Sequence, residues 1–100
     1  MTEYLIATSV LEAIVRGSLV NDDRVRLRGS LPLLGSHPAQ VTVDEDMCHV
    51  VVQVDARFGE VLPPLAIEVR RKVATALGHM TGLKVSGVDV VFSGVFPVGA

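Results

Sequence analysis

Aromatic residues, cysteine and net charge are all scarce in this chain of 100 residues. Three Phe and one Tyr, with no Trp, leave few rings to stack on nucleic-acid bases. The single cysteine, Cys48, excludes an internal disulfide and favours a reducing compartment. A formal net charge of −2 gives no overall attraction to nucleic acid or to anionic lipid. These scarcities argue against a disulfide-rich secreted domain and against a strongly basic nucleic-acid-binding domain.

Long apolar runs are missing as well. No run approaches the roughly 18–20 residues that span a membrane. The N-terminus carries Glu3 and no basic segment, so it lacks the pattern of a secretory signal. We therefore expect a cytoplasmic protein that associates with a membrane only through a partner.

Motifs that carry chemistry are also absent from the sequence. It has no glycine-rich phosphate loop, no nucleophile elbow and no paired carboxylates suited to acid–base catalysis. Cys48 and His49 are adjacent, but neighbouring strand residues point to opposite faces and cannot easily share a metal ion. The acidic turn Asp44, Glu45 and Asp46 lacks the spacing and the glycine of a calcium loop. We therefore predict a protein that is not an enzyme and has no catalytic, cofactor-binding or metal site.

Apolar residues, by contrast, make up 49% of the chain and follow patterns typical of strands and helices. Residues 48–58 alternate with a period of two, as a strand with one buried face does. The predicted inward residues of this strand are Val50, Val52, Val54, Ala56 and Phe58. A second alternating run places Val88, Val90 and Phe92 inward. Between the two runs, Pro63 and Pro64 open an amphipathic helix whose apolar side extends to Met80 and which Gly82 ends.

Shorter elements precede this strand–helix–strand unit. Ser9 and Glu12 have the spacing of a capping box that begins a helix over about residues 10–20. Gly17 lowers the helix propensity of that segment, which suggests a close approach by a neighbouring element. Residues 24–28 then form a short predicted strand.

A loop is predicted for residues 29–40, followed by a strand at 41–43 that forms a hairpin with the strand at 48–58. The three middle strands can form an antiparallel meander. The last strand returns through a helix, so it should run parallel to the strand before that helix. We predict one domain, residues 1–100, with an α+β fold in the order α-β-β-β-α-β: two helices packed on one face of a mixed four-stranded sheet.

Arg24, Arg26 and Arg28 are the most prominent charged residues. On a strand they share one face at roughly 6–7 Å intervals, close to a phosphate spacing. Arginines of this kind also serve as solvent-face residues that discourage aggregation of an edge strand. A small nucleic-acid-binding module that uses these three arginines is therefore the alternative function.

Three short motifs link the chain to a known family. The first alternating strand ends in the aromatic–glycine pair Phe58 and Gly59, and the helix closes on Thr-Gly-Leu-Lys-Val at residues 81–85. Val-Asp-Val follows at residues 88–90. This arrangement resembles the bacterial alkaline shock protein family, also called the Gls24-type envelope stress response family. Phe58 stands where tyrosine is usual in that family, and Asp89 where asparagine is usual.

The resemblance implies a non-enzymatic, cytoplasmic scaffold or interaction protein of cell-envelope homeostasis, without cofactors. It also implies tethering at the membrane by a membrane-anchored protein partner in some members. The high apolar content agrees with this, because a small domain hides so much apolar surface more easily in a homo-oligomer. We expect the self-association edge to lie at Val91, Val95 and Phe96 on the last strand and the tail beside it.

Overall fold

The structure, a computed structural model, describes residues 5–28 and 38–99 of the chain. The elements in these residues are α1 (Thr8–Leu19), β1 (Val25–Leu27), β2 (Ala39–Asp44), β3 (Met47–Arg57), α2 (Leu62–Thr81) and β4 (Lys84–Phe96). This is the predicted α+β fold in the predicted order. The predicted loop at 29–40 falls mainly outside the described residues, and β2 already begins at Ala39.

β3 lies at the centre of the sheet. β4 pairs with it along its whole length, so β1 and β2 must share its other edge. β1 pairs antiparallel with the segment of β3 from Val54 to Ala56, and β2 pairs antiparallel with the segment from Met47 to Val52. The two short strands therefore lie end to end. The hairpin of β2 and β3 is confirmed, whereas the predicted meander is wrong because β1 pairs with β3 and not with β2.

β4 runs parallel to β3, as the helical crossover predicted, and this makes the sheet mixed. The register shifts twice, where Ser86 and Ser93 of β4 have no opposite residue in β3. Each shift is a β-bulge, which bends and twists the strand locally. The 13 residues of β4 thus oppose the 11 residues of β3.

The core lies between one face of the sheet and the two helices. On β3 every second residue is buried, and these residues are Cys48, Val50, Val52, Val54 and Ala56. They meet Leu11, Ile14, Val15 and Leu19 of α1 and Leu65, Val69, Val73 and Leu77 of α2. α1 lies against β1 and β2, α2 lies against β4, and the helices contact each other. The prediction of two helices on one face is therefore confirmed.

The boundaries of α2 are close to those predicted. Pro63 and Pro64 lie in its first turn, and Gly82 ends it with φ at 75°, in the left-handed region that favours glycine. The N–H of Gly82 donates to the Gly78 carbonyl at 3.0 Å, and Leu83 packs partly buried against the core. The Thr81 hydroxyl donates to the Leu77 carbonyl at 2.6 Å.

Four details of the sequence prediction are wrong. Phe58 is 68% exposed, because β3 ends at Arg57 and residue 58 already belongs to a turn. Met80 is 70% exposed, although the helical period places it on the apolar side of α2. α1 begins at Thr8 without any side-chain cap, so the capping box does not form. Gly17 faces open space and not a neighbouring element.

Candidate functional site

Arg24, the first of the three predicted arginines, is held by a buried carboxylate. The Asp22 side chain is only 2% exposed and accepts hydrogen bonds from Arg24 Nε at 2.9 Å and Arg24 Nη2 at 2.8 Å. Lys72 Nζ of α2 lies 2.7 Å from the same carboxylate. These hydrogen bonds, chiefly those from Arg24, hold the pKa of Asp22 well below its usual range despite its burial. Asp22 therefore links Arg24, the residue before β1, to Lys72 of α2.

Arg26 and Arg28 lie on the open face of the sheet, the face that the helices do not cover. Arg28 Nη1 donates to Asp55 Oδ1 at 2.9 Å and to the Ser93 carbonyl at 3.0 Å. The Arg26 guanidinium lies over the Phe96 ring, 4.0 Å from its centroid. Both arginines thus extend from β1 across β3 to the last residues of β4.

Two glycines of β4 make room for side chains that cross the open face. A Cβ at Gly94 would lie 2.9 Å from Arg28 Nη1 and 3.0 Å from Asp55 Oδ1. A Cβ at Gly87 would lie 3.1 Å from the ring of His49, which pairs with Asp89 at 2.9 Å. These distances are shorter than ordinary carbon contacts, so a side chain at either glycine would force the Arg28–Asp55 and His49–Asp89 contacts to move.

An apolar surface lies where β3 and β4 end. We call it the end patch, and it consists of Phe58, Val95, Phe96, Pro97 and Val98. Phe58, Val95 and Val98 are between 63% and 68% exposed. The Phe58 N–H donates to the Phe96 carbonyl at 2.8 Å, which brings the turn after β3 onto the end of β4. The patch contains the predicted Val95 and Phe96 together with Phe58, which the sequence assigned to the core.

Val91, the remaining predicted interaction residue, lies on the open face of β4 opposite Gln53 and is 43% exposed. In the described part of the chain, β4 pairs only with β3 and its outer edge carries no strand. Arg70 Nε of α2 donates to the Val88 carbonyl at 3.1 Å and so occupies an acceptor near the middle of β4. Residues 90–96 of this edge lie beyond that contact, next to the end patch.

A second partly apolar surface lies at the other end of the sheet, around the turn between β2 and β3. We call it the opposite cleft, and it is lined chiefly by Leu5, Ile6, Val43, Glu45, Asp46 and Leu83. Leu5 is 98% exposed and Val43 is 44% exposed. Asp46 lies 3.7 Å from Lys84 Nζ, and both side chains are exposed. The sequence indicated the acidic turn but gave no sign that apolar residues surround it.

Cys48 and His49 lie on opposite faces of β3, as their strand positions predicted. The Cys48 thiol is buried in the core, and this burial raises its pKa. A raised pKa disfavours the thiolate, which is the reactive form of cysteine. Among residues 5–28 and 38–99, no group of three potential metal ligands is close enough to hold an ion. In the same residues, no helix is long and apolar enough to cross a membrane.

Comparison with known families connects this geometry to a biological context. The model of the Asp23 family, described as having a cell envelope-related function, matches residues 35–97. The chain belongs to this family. The family name does not refer to residue 23 of the chain, and the Asp23 family is the alkaline shock protein family that the sequence resembles. No protein with a curated description and no solved structure matches the chain.

Proposed function

We propose that this Asp23-family chain is a non-enzymatic interaction protein of the cell envelope stress response type. It acts by self-association and by binding a protein partner. In this proposal it works in the cytoplasm and reaches the membrane through a membrane-anchored partner. The observation that supports the proposal best is the end patch, which exposes apolar side chains beside the outer edge of β4, an edge that no strand of the described residues covers.

The physical argument starts from the usual treatment of edge strands. Soluble proteins protect an exposed edge with short strands, charges, prolines or bulges. β4 has 13 residues and two bulges, at Ser86 and Ser93, and Arg70 occupies the Val88 carbonyl. Beyond it lie Val91, Val95 and Phe96, followed by Pro97 and Val98. An apolar edge of this kind is typical of a surface that is covered by another chain.

The contacts of Arg24, Arg26 and Arg28 support this function better than they support nucleic-acid binding. Arg24 is bonded to Asp22, Arg28 is bonded to Asp55 and Ser93, and Arg26 covers the Phe96 ring. A phosphate group would have to compete with these contacts at all three positions. The arginines therefore favour a structural role: Arg26 and Arg28 hold β1 and β4 together across the open face, whereas Arg24 does not share that face and binds Asp22.

The test is light scattering coupled to gel filtration, at low and high salt, for three chains. These are the wild type, Val91→Lys, and a truncation after Val95 that removes the last five residues. We expect a wild-type oligomer that survives high salt, because apolar contacts are not screened by salt. We expect the truncation to reduce the assembly strongly and Val91→Lys to weaken it.

A monomeric wild type in every condition would contradict the proposal, as would an assembly that neither change affects. Binding of nucleic acid that falls steeply with salt and is lost in Arg26→Ala would instead support the alternative module. Circular dichroism of the truncated chain verifies that it is folded.

A further inference from the structure

We infer that self-association is head to tail: the end patch of one copy docks into the opposite cleft of the next copy. This inference rests on the proposed self-association and adds the surface that receives the end patch.

The positions of the two surfaces support this arrangement. The end patch follows Arg57, the last residue of β3, whereas the opposite cleft adjoins Met47, the first residue of β3. Eleven strand residues separate them by about 35 Å. The molecule measures 51 × 31 × 19 Å, so the two surfaces lie toward opposite ends of an elongated body. Copies joined through them would add along one direction.

The chemistry of the two surfaces is complementary. Exposed apolar residues occur on both, represented by Val98 on the end patch and Leu5 on the opposite cleft. The rim of the cleft carries the Glu45 carboxylate, next to the Asp46 carboxylate that Lys84 neutralises, and the Arg26 guanidinium lies on the Phe96 ring of the end patch. Docking patch to cleft places the opposite charges of Glu45 and Arg26 near each other. Docking patch to patch would instead place two Arg26 side chains together and leave the cleft exposed.

The size of the surfaces determines how strong the contact can be. Stable interfaces bury roughly 800 Å² on each partner, which takes about 20–30 residues a side. The end patch has five residues, so a single contact is small. A contact between two different surfaces leaves one of each unused at the ends, and so does not stop at a dimer unless a ring closes. We therefore expect assemblies whose mean size rises continuously with concentration.

Two variants test the inference, each with a different one of the two docking surfaces disrupted. Val98→Asp places a carboxylate in the end patch, and Leu5→Asp places one in the opposite cleft. Both positions are more than two-thirds exposed, so neither change should unfold the chain. Ile67→Asp is the matched control, because Ile67 on α2 is 60% exposed and belongs to neither surface. All chains are measured by sedimentation velocity across the concentrations at which the wild type assembles, with their thermal midpoints compared.

The decisive sample is a mixture of the two variants. Each variant alone should be monomeric, whereas Ile67→Asp should assemble like the wild type. The mixture should form a 1:1 dimer and nothing larger, with twice the 10.7 kDa chain mass. This follows because only the intact patch of Leu5→Asp and the intact cleft of Val98→Asp can still meet.

Two results would overturn the inference while leaving the proposed function intact. In the first, the wild type assembles and Val98→Asp prevents assembly, but Leu5→Asp has no effect. In the second, both variants are monomeric and their mixture stays monomeric. A monomeric wild type would refute the proposed self-association itself, and the head-to-tail contact with it.

Discussion

At the scale of single residues, Asp22, between α1 and β1, is a charged side chain held in the interior of the protein. Its carboxylate is buried and bonded to Arg24 and Lys72. The sequence indicates a turn at residues 21–23 through its Asn-Asp-Asp composition but not the burial of Asp22. That burial depends on Lys72, which is 50 positions away in the chain. A local pattern carries no information on such a pair.

Replacing Asp22 tests this cluster. Asp22→Asn should lower the free energy of unfolding at pH 7 by about 1–3 kcal/mol, because two cations lose their common partner. The pKa of Asp22 is lower in the folded chain than its unfolded value of about 3.9. The stabilisation is therefore fully present above about pH 5 and is lost as the pH falls. Urea unfolding at pH 7, 5 and 3 measures the difference between wild type and variant.

The control for that measurement is Asp89→Asn. Asp89 pairs with His49 on the surface and its side chain is 64% exposed, so its loss should cost under about 1 kcal/mol. Equal losses for the two variants, or an Asp22→Asn effect that persists unchanged at pH 3, would refute the role assigned to Asp22.

Phe58 shows a second limit of the sequence at this scale. Its place in the alternating run made it a core residue, yet the strand ends one residue earlier. The sequence does contain one indication that the strand ends there, which is the glycine at position 59. Its φ is 98°, in the left-handed region, and a residue in that region interrupts a strand with a turn. The candidate site was thus predicted in part: Val95 and Phe96 were identified, but the ring that completes the patch was not.

At the scale of elements, β4 departs most from its sequence pattern. Simple alternation places Val88, Val90 and Phe92 inward, and the structure agrees that they pack on the core. Beyond Phe92 the bulge at Ser93 shifts the pattern by one residue, so that Val95 pairs with Ala56 on the inner face. A strict period of two cannot represent the extra residue of a bulge, so the alternation seen in the sequence fails beyond Phe92.

Gly94→Ala tests the crowding at this bulge. The added methyl group would meet Arg28 Nη1 and Asp55 Oδ1, so the ion pair must move. We expect a loss of about 0.5–1.5 kcal/mol in the free energy of unfolding, measured by urea titration. In the Gly94→Ala background, Arg28→Ala should cost less than it does in the wild type, since the pair is already disturbed.

The matched control is the same substitution at Gly17. No atom of the described residues lies within 4 Å of a Cβ built there, and Gly17 lies in the last turn of α1. Gly17→Ala should therefore stabilise the chain by about 0.5–1 kcal/mol. If both alanine variants changed stability in the same direction, the close approach at Gly94 would not be the cause.

At the scale of the whole molecule, the class and order of the elements could be predicted, but the neighbours of β3 could only be predicted in part. The spacing of apolar residues distinguishes strands, which repeat every two residues, from helices, which repeat every three or four. The crossover through α2 requires β4 to run parallel to β3. The position of β1 follows from contacts such as Arg28 with Asp55, 27 residues apart. Nothing in a three-residue strand specifies which edge it joins.

The central position of β3 predicts which backbone amides of the sheet are best protected from hydrogen exchange. Both edges of β3 are paired and its inner side chains are fully buried. Its amide protons should exchange most slowly in the sheet, by way of global unfolding. Half of the β4 amides face the unpaired edge and should exchange faster in the isolated monomer. Hydrogen exchange followed by NMR measures this, and equal rates for β3 and β4 would contradict the arrangement.

The pairing of β3 with β4 over their whole length also has a mechanical consequence. Both strands run between the two ends of the molecule, and their hydrogen bonds lie across that direction. A tensile load applied between the ends is therefore shared by all of these bonds at once and does not break them one at a time. In a row of copies joined end to end, each domain would be pulled along its most resistant axis, and the row would fail first at the small contacts between copies.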